Sequence, residues 1–91
     1  MREYIVEYLG TVFFLYVILT ADAHYAPLAI GGALALSIYL GGPISGGNFN
    51  PAVTVMMALA KKQSMDRLAP YVIAQLAAAF TVVELYKRLG K

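Results

Sequence analysis

Within a run that carries no charge from Asp22 to Lys61 lies Gly41-Gly42-Pro43-Ile44-Ser45-Gly46-Gly47-Asn48-Phe49-Asn50-Pro51-Ala52-Val53-Thr54, the stretch on which the fold turns. Such an uncharged run is far longer than a soluble amphipathic helix allows. The Gly-rich first part promises irregular backbone. Asn50-Pro51 then starts a helix, because Asn is a favoured N-cap and Pro a favoured first helical residue. The apolar run after Pro51 ends at Lys61-Lys62, which leaves a helix of roughly 16 Å, about half the hydrocarbon core of a bilayer. The two lysines suit the negative end of a helix dipole and a membrane surface. This helix therefore ends at the interface and begins near the midplane, and the Gly-rich stretch enters from the same side. Irregular backbone at that depth is tolerated only where protein or a water-filled cavity covers it. The pattern predicts a re-entrant loop and half-helix over 43–61, and with it a pore or binding cavity.

Outward from this stretch the remaining charges fall in three groups. Arg2, Glu3 and Glu7 stand near the start, Asp66 and Arg67 follow the two lysines, and Glu84, Lys87, Arg88 and Lys91 stand near the end. Between the groups lie apolar runs at about 4–21, 27–41 (short at its ends) and 67–86, as candidates for the ~20 residues that span a bilayer. Hydrophobic residues make up 60% and charged residues 13%, against about a quarter charged in soluble domains. A soluble chain of 91 residues lacks the polar residues here to cover its large relative surface. The expected fold class is an all-α membrane protein, with three transmembrane helices plus one re-entrant half-helix, in a single module over 1–91. High hydrophobicity with low charge excludes disorder. Scattered basic residues and a net charge of +2 argue against nucleic acid as a partner. The absence of cysteine excludes thiol chemistry and cysteine–metal sites. A rival reading takes Arg2, Tyr8–Thr20 and Ala21-Asp22-Ala23 as a cleaved signal peptide; Glu3 and Glu7 beside one Arg speak against it.

The segment Ser45-Gly46-Gly47-Asn48-Phe49-Asn50-Pro51-Ala52-Val53-Thr54 resembles the first half of an aquaporin or glycerol-facilitator channel, the major intrinsic protein family. Glu7-x-x-Gly10-Thr11 in the first span and Tyr71-Val72-Ile73-Ala74-Gln75 in the third stand in that family's positions and spacing. The resemblance runs from Glu7 to Leu85 and covers one of the two inverted three-span repeats of a full member. It implies an integral, multi-pass membrane protein and a passive channel for water and small neutral solutes such as glycerol. Asn50, in Asn50-Pro51-Ala52, inherits the role of donating side-chain hydrogen bonds to a passing oxygen. The carbonyls of Gly46, Gly47, Asn48 and Phe49 resemble the family's acceptor ladder. Glu7 and Gln75 are expected to brace the loop. With no nucleophile–base pair, metal cluster or phosphate loop, neither enzyme activity nor a cofactor is expected.

Plainer readings stand beside these. Asn50 is also a simple N-cap, Glu7 an interfacial acid, and Gln75 an interhelical hydrogen-bonding residue. The ridge Ala29, Ala33, Ser37 and Gly41 allows close helix approach. His24 reads as solvent-facing, and Glu84 with Lys87 and Arg88 as a helix-end ion cluster. Tyr4, Tyr8, Tyr71 and Tyr86 lie toward span ends, as an interfacial belt does. Two positions depart from the family's narrow filter: Val53 follows Ala52 where second halves carry Arg, and Ile30 occupies an often aromatic position. A wider or more apolar pore is the expectation.

Half a pore needs a second half. Two copies in opposite orientation would bring two Asn50 residues together at the midplane by a two-fold axis in the membrane plane. Arg2, Lys61, Lys62 and Arg67 on one face against Lys87, Arg88 and Lys91 on the other leave little positive-inside bias. The expectation is an antiparallel homodimer in membrane lipid, with four dimers resembling the family's tetramer. The alternative is a non-conducting subunit that completes or modulates a separately encoded partner.

Overall fold

In hydrocarbon every backbone N–H and C=O must find a partner within the protein, so apolar runs of spanning length fold as helices. The computed structural model describes residues 1–89, and its regular structure there is entirely helical. The chain runs through α1 (Arg2–Thr20), α2 (Ala26–Ser45), α3 (Pro51–Leu59), a 3-10 turn (Met65–Arg67) and α4 (Leu68–Arg88). Helices α1, α2 and α4 are long and apolar enough to cross a membrane. Lys91, counted above among the cations of the second face, lies outside the described residues.

The second span is longer than the sequence suggested. Irregular backbone was expected from Pro43 onward, yet α2 continues through Pro43 to Ser45, leaving Gly46–Asn50 as the only irregular part of the re-entrant segment. Pro43 removes one helical hydrogen bond, the one to the Tyr39 carbonyl. The turn beyond it closes regardless, because Gly46 takes a left-handed conformation (φ 94°) and donates its N–H to the Gly42 carbonyl. Only glycine adopts that conformation without steric cost.

Helix α1 is the centre of the packing, with α2 on one side and α4 on the other, while α3 rests on α4. The ridge on α2 extends to Ser45: Ala33, Ser37, Gly41 and Ser45 are its buried residues, and they allow α1 to approach closely. The interior is unusually polar for so small a protein. Glu7, Thr11, Ser37, Ser45, Asn48, Thr54 and Gln75 are buried, whereas Leu28, Tyr39, Leu40, Leu59, Ile73 and Phe80 are each more than half exposed. That inversion suits lipid, which is as apolar as the side chains facing it and leaves polar contacts and close packing to hold helices together. Away from the membrane interior, His24 is exposed. Glu84 pairs with Lys87 at 3.9 Å and Arg88 at 3.4 Å; exposed pairs of this kind contribute at most ~0.5 kcal/mol each.

Candidate functional site

Five residues, Gly46–Asn50, join α2 to α3 at membrane depth, and their backbone groups must be satisfied without regular structure. Three of the donors are taken up by side chains. Gly47 N–H donates to Ser45 Oγ (3.1 Å), Asn48 N–H to Glu7 Oε2 (3.0 Å) and Phe49 N–H to Glu7 Oε1 (2.7 Å). Among the described residues no hydrogen bond reaches the carbonyls of Gly46, Gly47, Asn48 or Phe49. The strand thus commits its N–H groups inward and leaves a row of acceptors free.

Glu7 is the hub. Its side chain is fully buried and accepts two further bonds, from Ser45 Oγ (2.7 Å) and Gln75 Nε2 (2.9 Å). Four donors from α1's two neighbouring helices and the strand therefore meet one carboxylate, and bonds to such a group are stronger than neutral ones. Gln75 also donates to Thr54 Oγ1 (2.8 Å), which accepts from Asn48 Nδ2 (3.0 Å) and donates to the Asn50 carbonyl (3.2 Å). Tyr71 O–H donates to the Ser45 carbonyl at 2.6 Å. The belt position suggested for Tyr71 is therefore corrected: it is buried, with Tyr4 edge-on to its ring and Arg67 over it. Tyr8, also assigned to the belt, pairs its hydroxyl with Thr81 Oγ1 at 2.6 Å, tying α1 to α4.

Phe49 anchors the strand from the other side. Its φ of 55° is left-handed, a conformation that costs an L-residue about 1–2 kcal/mol. Burial of the ring offsets that cost, since only 1% of the residue is exposed. The ring sits over Gly10 and Gly41, and a Cβ at Gly10 would overlap it. Gly10→Ala is accordingly expected to destabilise the fold by about 1–3 kcal/mol through overpacking, measurable by reversible unfolding in detergent. Unchanged stability would mean that the ring moves freely. An apolar cavity of about 300 Å³ lies against the same ring, lined by Leu9, Phe13, Ser37 and Leu40 among others; Asn50 is not part of it.

At the far end of the strand Asn50 is extended (φ −163°) and caps α3, its Oδ1 accepting the Ala52 N–H at 2.7 Å. Its Nδ2 has no partner among the described residues, and the residue is exposed. Capping thus turns the oxygen toward the helix and leaves the amide donor free at the positive end of the α3 dipole. Pro51 and Val53 are half-buried and Ala52 exposed beside it. Ile30 stands apart from this group. It is fifteen residues before Ser45 on α2, roughly 22 Å along the helix axis, and takes no part in the cluster.

Sequence reasoning missed Ser45, Thr54 and Gln63, although one signal was present. A hydroxyl inside an apolar segment, as at Ser45 and Thr54, needs a partner, whereas Gln63 lies in the polar turn after Lys61-Lys62 and gave no such signal; all three supply or accept bonds to the strand or its supports. No cluster of metal-ligating side chains occurs among the described residues.

Three membrane-capable helices and a half-helix resting on the last of them, with a buried carboxylate holding the connecting strand, make up an all-helical membrane module. The chain belongs to the major intrinsic protein family, whose model it matches over residues 1–90, and it is an integral, multi-pass membrane protein. It is 39% identical over 85 residues to glycerol uptake facilitator protein-like 6 of Lactiplantibacillus plantarum, covering 87% of this chain and 39% of that protein. It is 35% identical over 111 residues to probable aquaporin PIP2-8 of Arabidopsis thaliana (98% and 40% covered). With an aquaporin PIP-type of Atriplex canescens it shares 36% over 104 residues (99% and 37% covered). The chain spans about two-fifths of the length of these curated relatives. No solved structure gives a significant match.

Proposed function

We propose that the chain forms half of a passive channel for water and small neutral solutes such as glycerol, completed by a second copy in opposite orientation. One observation carries this reading: the row of free carbonyls from Gly46 to Phe49 leads to the free Asn50 amide at the N-terminus of α3. A solute oxygen that leaves bulk water finds fixed donors and acceptors there, so the barrier to crossing stays low. The positive end of the α3 dipole opposes cations, hydronium included. Transport by this route needs no energy source and no catalytic group, in keeping with relatives named as aquaporins and a solute facilitator rather than as enzymes.

Geometry argues for the antiparallel pair. The nine residues of α3 reach about 14 Å, so one copy lines one half of a pore. Two parallel copies would bring both half-helices in from the same face. Opposed copies bring their Asn50 residues together at the midplane and recreate an inverted repeat. With Val53 and Ile30 in place of larger or charged groups, glycerol is expected to pass at least comparably to water. A non-conducting subunit that completes or modulates a separately encoded partner is the second reading, favoured by Glu7 and Gln75 holding the strand in place whether or not solute passes.

Liposomes holding only this chain should show raised water and glycerol permeability without free proton passage. Folded, assembled protein that leaves permeability at the level of empty liposomes overturns the channel. Single cysteines at Ser64 and Leu89, on opposite faces, should each be labelled partly from both sides of intact cells. Uniform orientation overturns the homodimer and points to the partner half.

A further inference from the structure

The connection from α3 to α4 holds a side chain that the site described above does not use. Helix α3 ends in a tight reversal: Lys61 N–H donates to the Ala58 carbonyl and Lys62 N–H to the Met57 carbonyl, with Lys61 left-handed at φ 61°. This is the Schellman arrangement, in which glycine is the usual left-handed residue. Two residues later Ser64 caps the 3-10 turn, its Oγ accepting the Asp66 N–H at 3.2 Å. Gln63 is held between these two caps, and its side chain turns back over the re-entrant strand.

There Gln63 Oε1 accepts from Asn48 Nδ2 at 3.2 Å. Among the described residues this is the one hydrogen bond that joins the α3–α4 connection to the strand. The same oxygen lies beside Gly46, where an added Cβ would stand 3.4 Å from it. Gln63 Nε2 is buried and has no partner among the described residues, so only the oxygen of the amide is engaged. Asn48 Nδ2 in turn bonds Thr54, Thr54 bonds Gln75 and Gln75 bonds Glu7. A continuous polar chain thus runs from the buried carboxylate to the membrane face.

We infer that Gln63 is a positioning residue for transport: from the surface turn it clamps Asn48 and so sets where the Gly46 and Gly47 carbonyls stand in the pore wall. The need for a clamp is local. Glu7 pins the strand at Asn48 and Phe49, whereas Gly46 and Gly47 both have positive φ and no side chain of their own to pack. These two glycines are the most deformable part of the wall, and Gln63 is the side chain that lies against the first of them, Gly46. The role in transport rests on the channel reading, whereas the clamp itself does not.

The test compares wild type, Gln63→Ala and Gln63→Glu in the full chain, with two readouts. Backbone amide exchange in nanodiscs reports the clamp whether or not the protein conducts. Gln63→Ala should exchange about fivefold faster at Gly47 and Asn48, the loss expected for one neutral hydrogen bond. Gln63→Glu keeps the accepting oxygen and removes the unpartnered donor, so it should exchange as wild type does. In liposomes the ratio of glycerol to water permeability should change in Gln63→Ala and return in Gln63→Glu. Equal exchange in all three proteins overturns the inference, as does a Glu variant that behaves like Ala. Faster exchange throughout α1 and α4 in Gln63→Ala also overturns it, because the residue would then support the whole fold. A wild-type chain that fails to conduct removes the channel reading, while the exchange data still decide the clamp.

Discussion

Glu7→Ala is expected to release the re-entrant strand and to abolish transport. The carboxylate is fully buried and receives the N–H groups of Asn48 and Phe49, the Ser45 hydroxyl and the Gln75 amide. Ala leaves the Asn48 and Phe49 N–H groups with no acceptor in reach, while Gln75 Nε2 keeps Thr54 and Ser45 Oγ keeps the Gly41 carbonyl. An unsatisfied buried donor costs about 1–3 kcal/mol, so the two together put the loss at about 2–6 kcal/mol. Glu7→Gln should be nearly as harmful. Its single carbonyl oxygen serves part of the set, and its NH2 group faces donors where an acceptor is needed. Reversible unfolding in detergent measures the loss, and amide exchange at Asn48 and Phe49 locates it. If Glu7→Gln unfolds as wild type does and keeps both amides protected, the carboxylate is not the hub.

Asn50→Asp should separate transport from folding. Asp keeps the oxygen that accepts the Ala52 N–H and is as good an N-cap as Asn. A negative charge at a helix N-terminus is also favourable, by about 0.3–1 kcal/mol. Stability should therefore hold or rise slightly. Transport should not. The substitution removes the free Nδ2 donor and replaces the positive field at the α3 terminus with a negative charge. Neutral-solute flux is expected to fall about tenfold or more, or a cation leak to appear, since either change reverses the local electrostatics. Stopped-flow shrinkage and a potassium-leak assay on the same vesicles read both outcomes. Wild-type flux with no leak would place Asn50 outside the conducting path and leave it as a helix cap.

These two variants mark what could be read from the chain before its structure. Glu7 and Gln75 stood out because ionisable and amide side chains inside apolar spans need partners. Asn50-Pro51 announced the start of a half-helix by capping chemistry, and Lys61-Lys62 announced its end. Gly10 stood out only in the family spacing and Gly41 only in the close-approach ridge, and neither pointed to Phe49. Their use as the seat of the Phe49 ring depends on two helices meeting at one height. Tyr71 misled for a related reason. Tyrosines near span ends usually sit at the interface, yet this one donates to the Ser45 carbonyl at the end of α2. Pro43 misled as well, since a proline is a common helix end, and here the helix runs two residues past it before Gly46 terminates it.

By itself the sequence determined the class of environment, the number of membrane-capable segments and the residue at which α3 begins. Each of these follows from local quantities: the length of uncharged runs against bilayer thickness, and capping residues that act within a few positions. The tertiary structure alone decided which donors meet which acceptors. Residues separated by 38, 41, 42 and 68 positions converge on Glu7, and nothing in a local window states that they will. Convergence comes from helix packing, which places α2 and α4 on either side of α1. The same packing draws the Asn48 and Phe49 N–H groups to that carboxylate, and among the described residues the carbonyls from Gly46 to Phe49 are left without a partner.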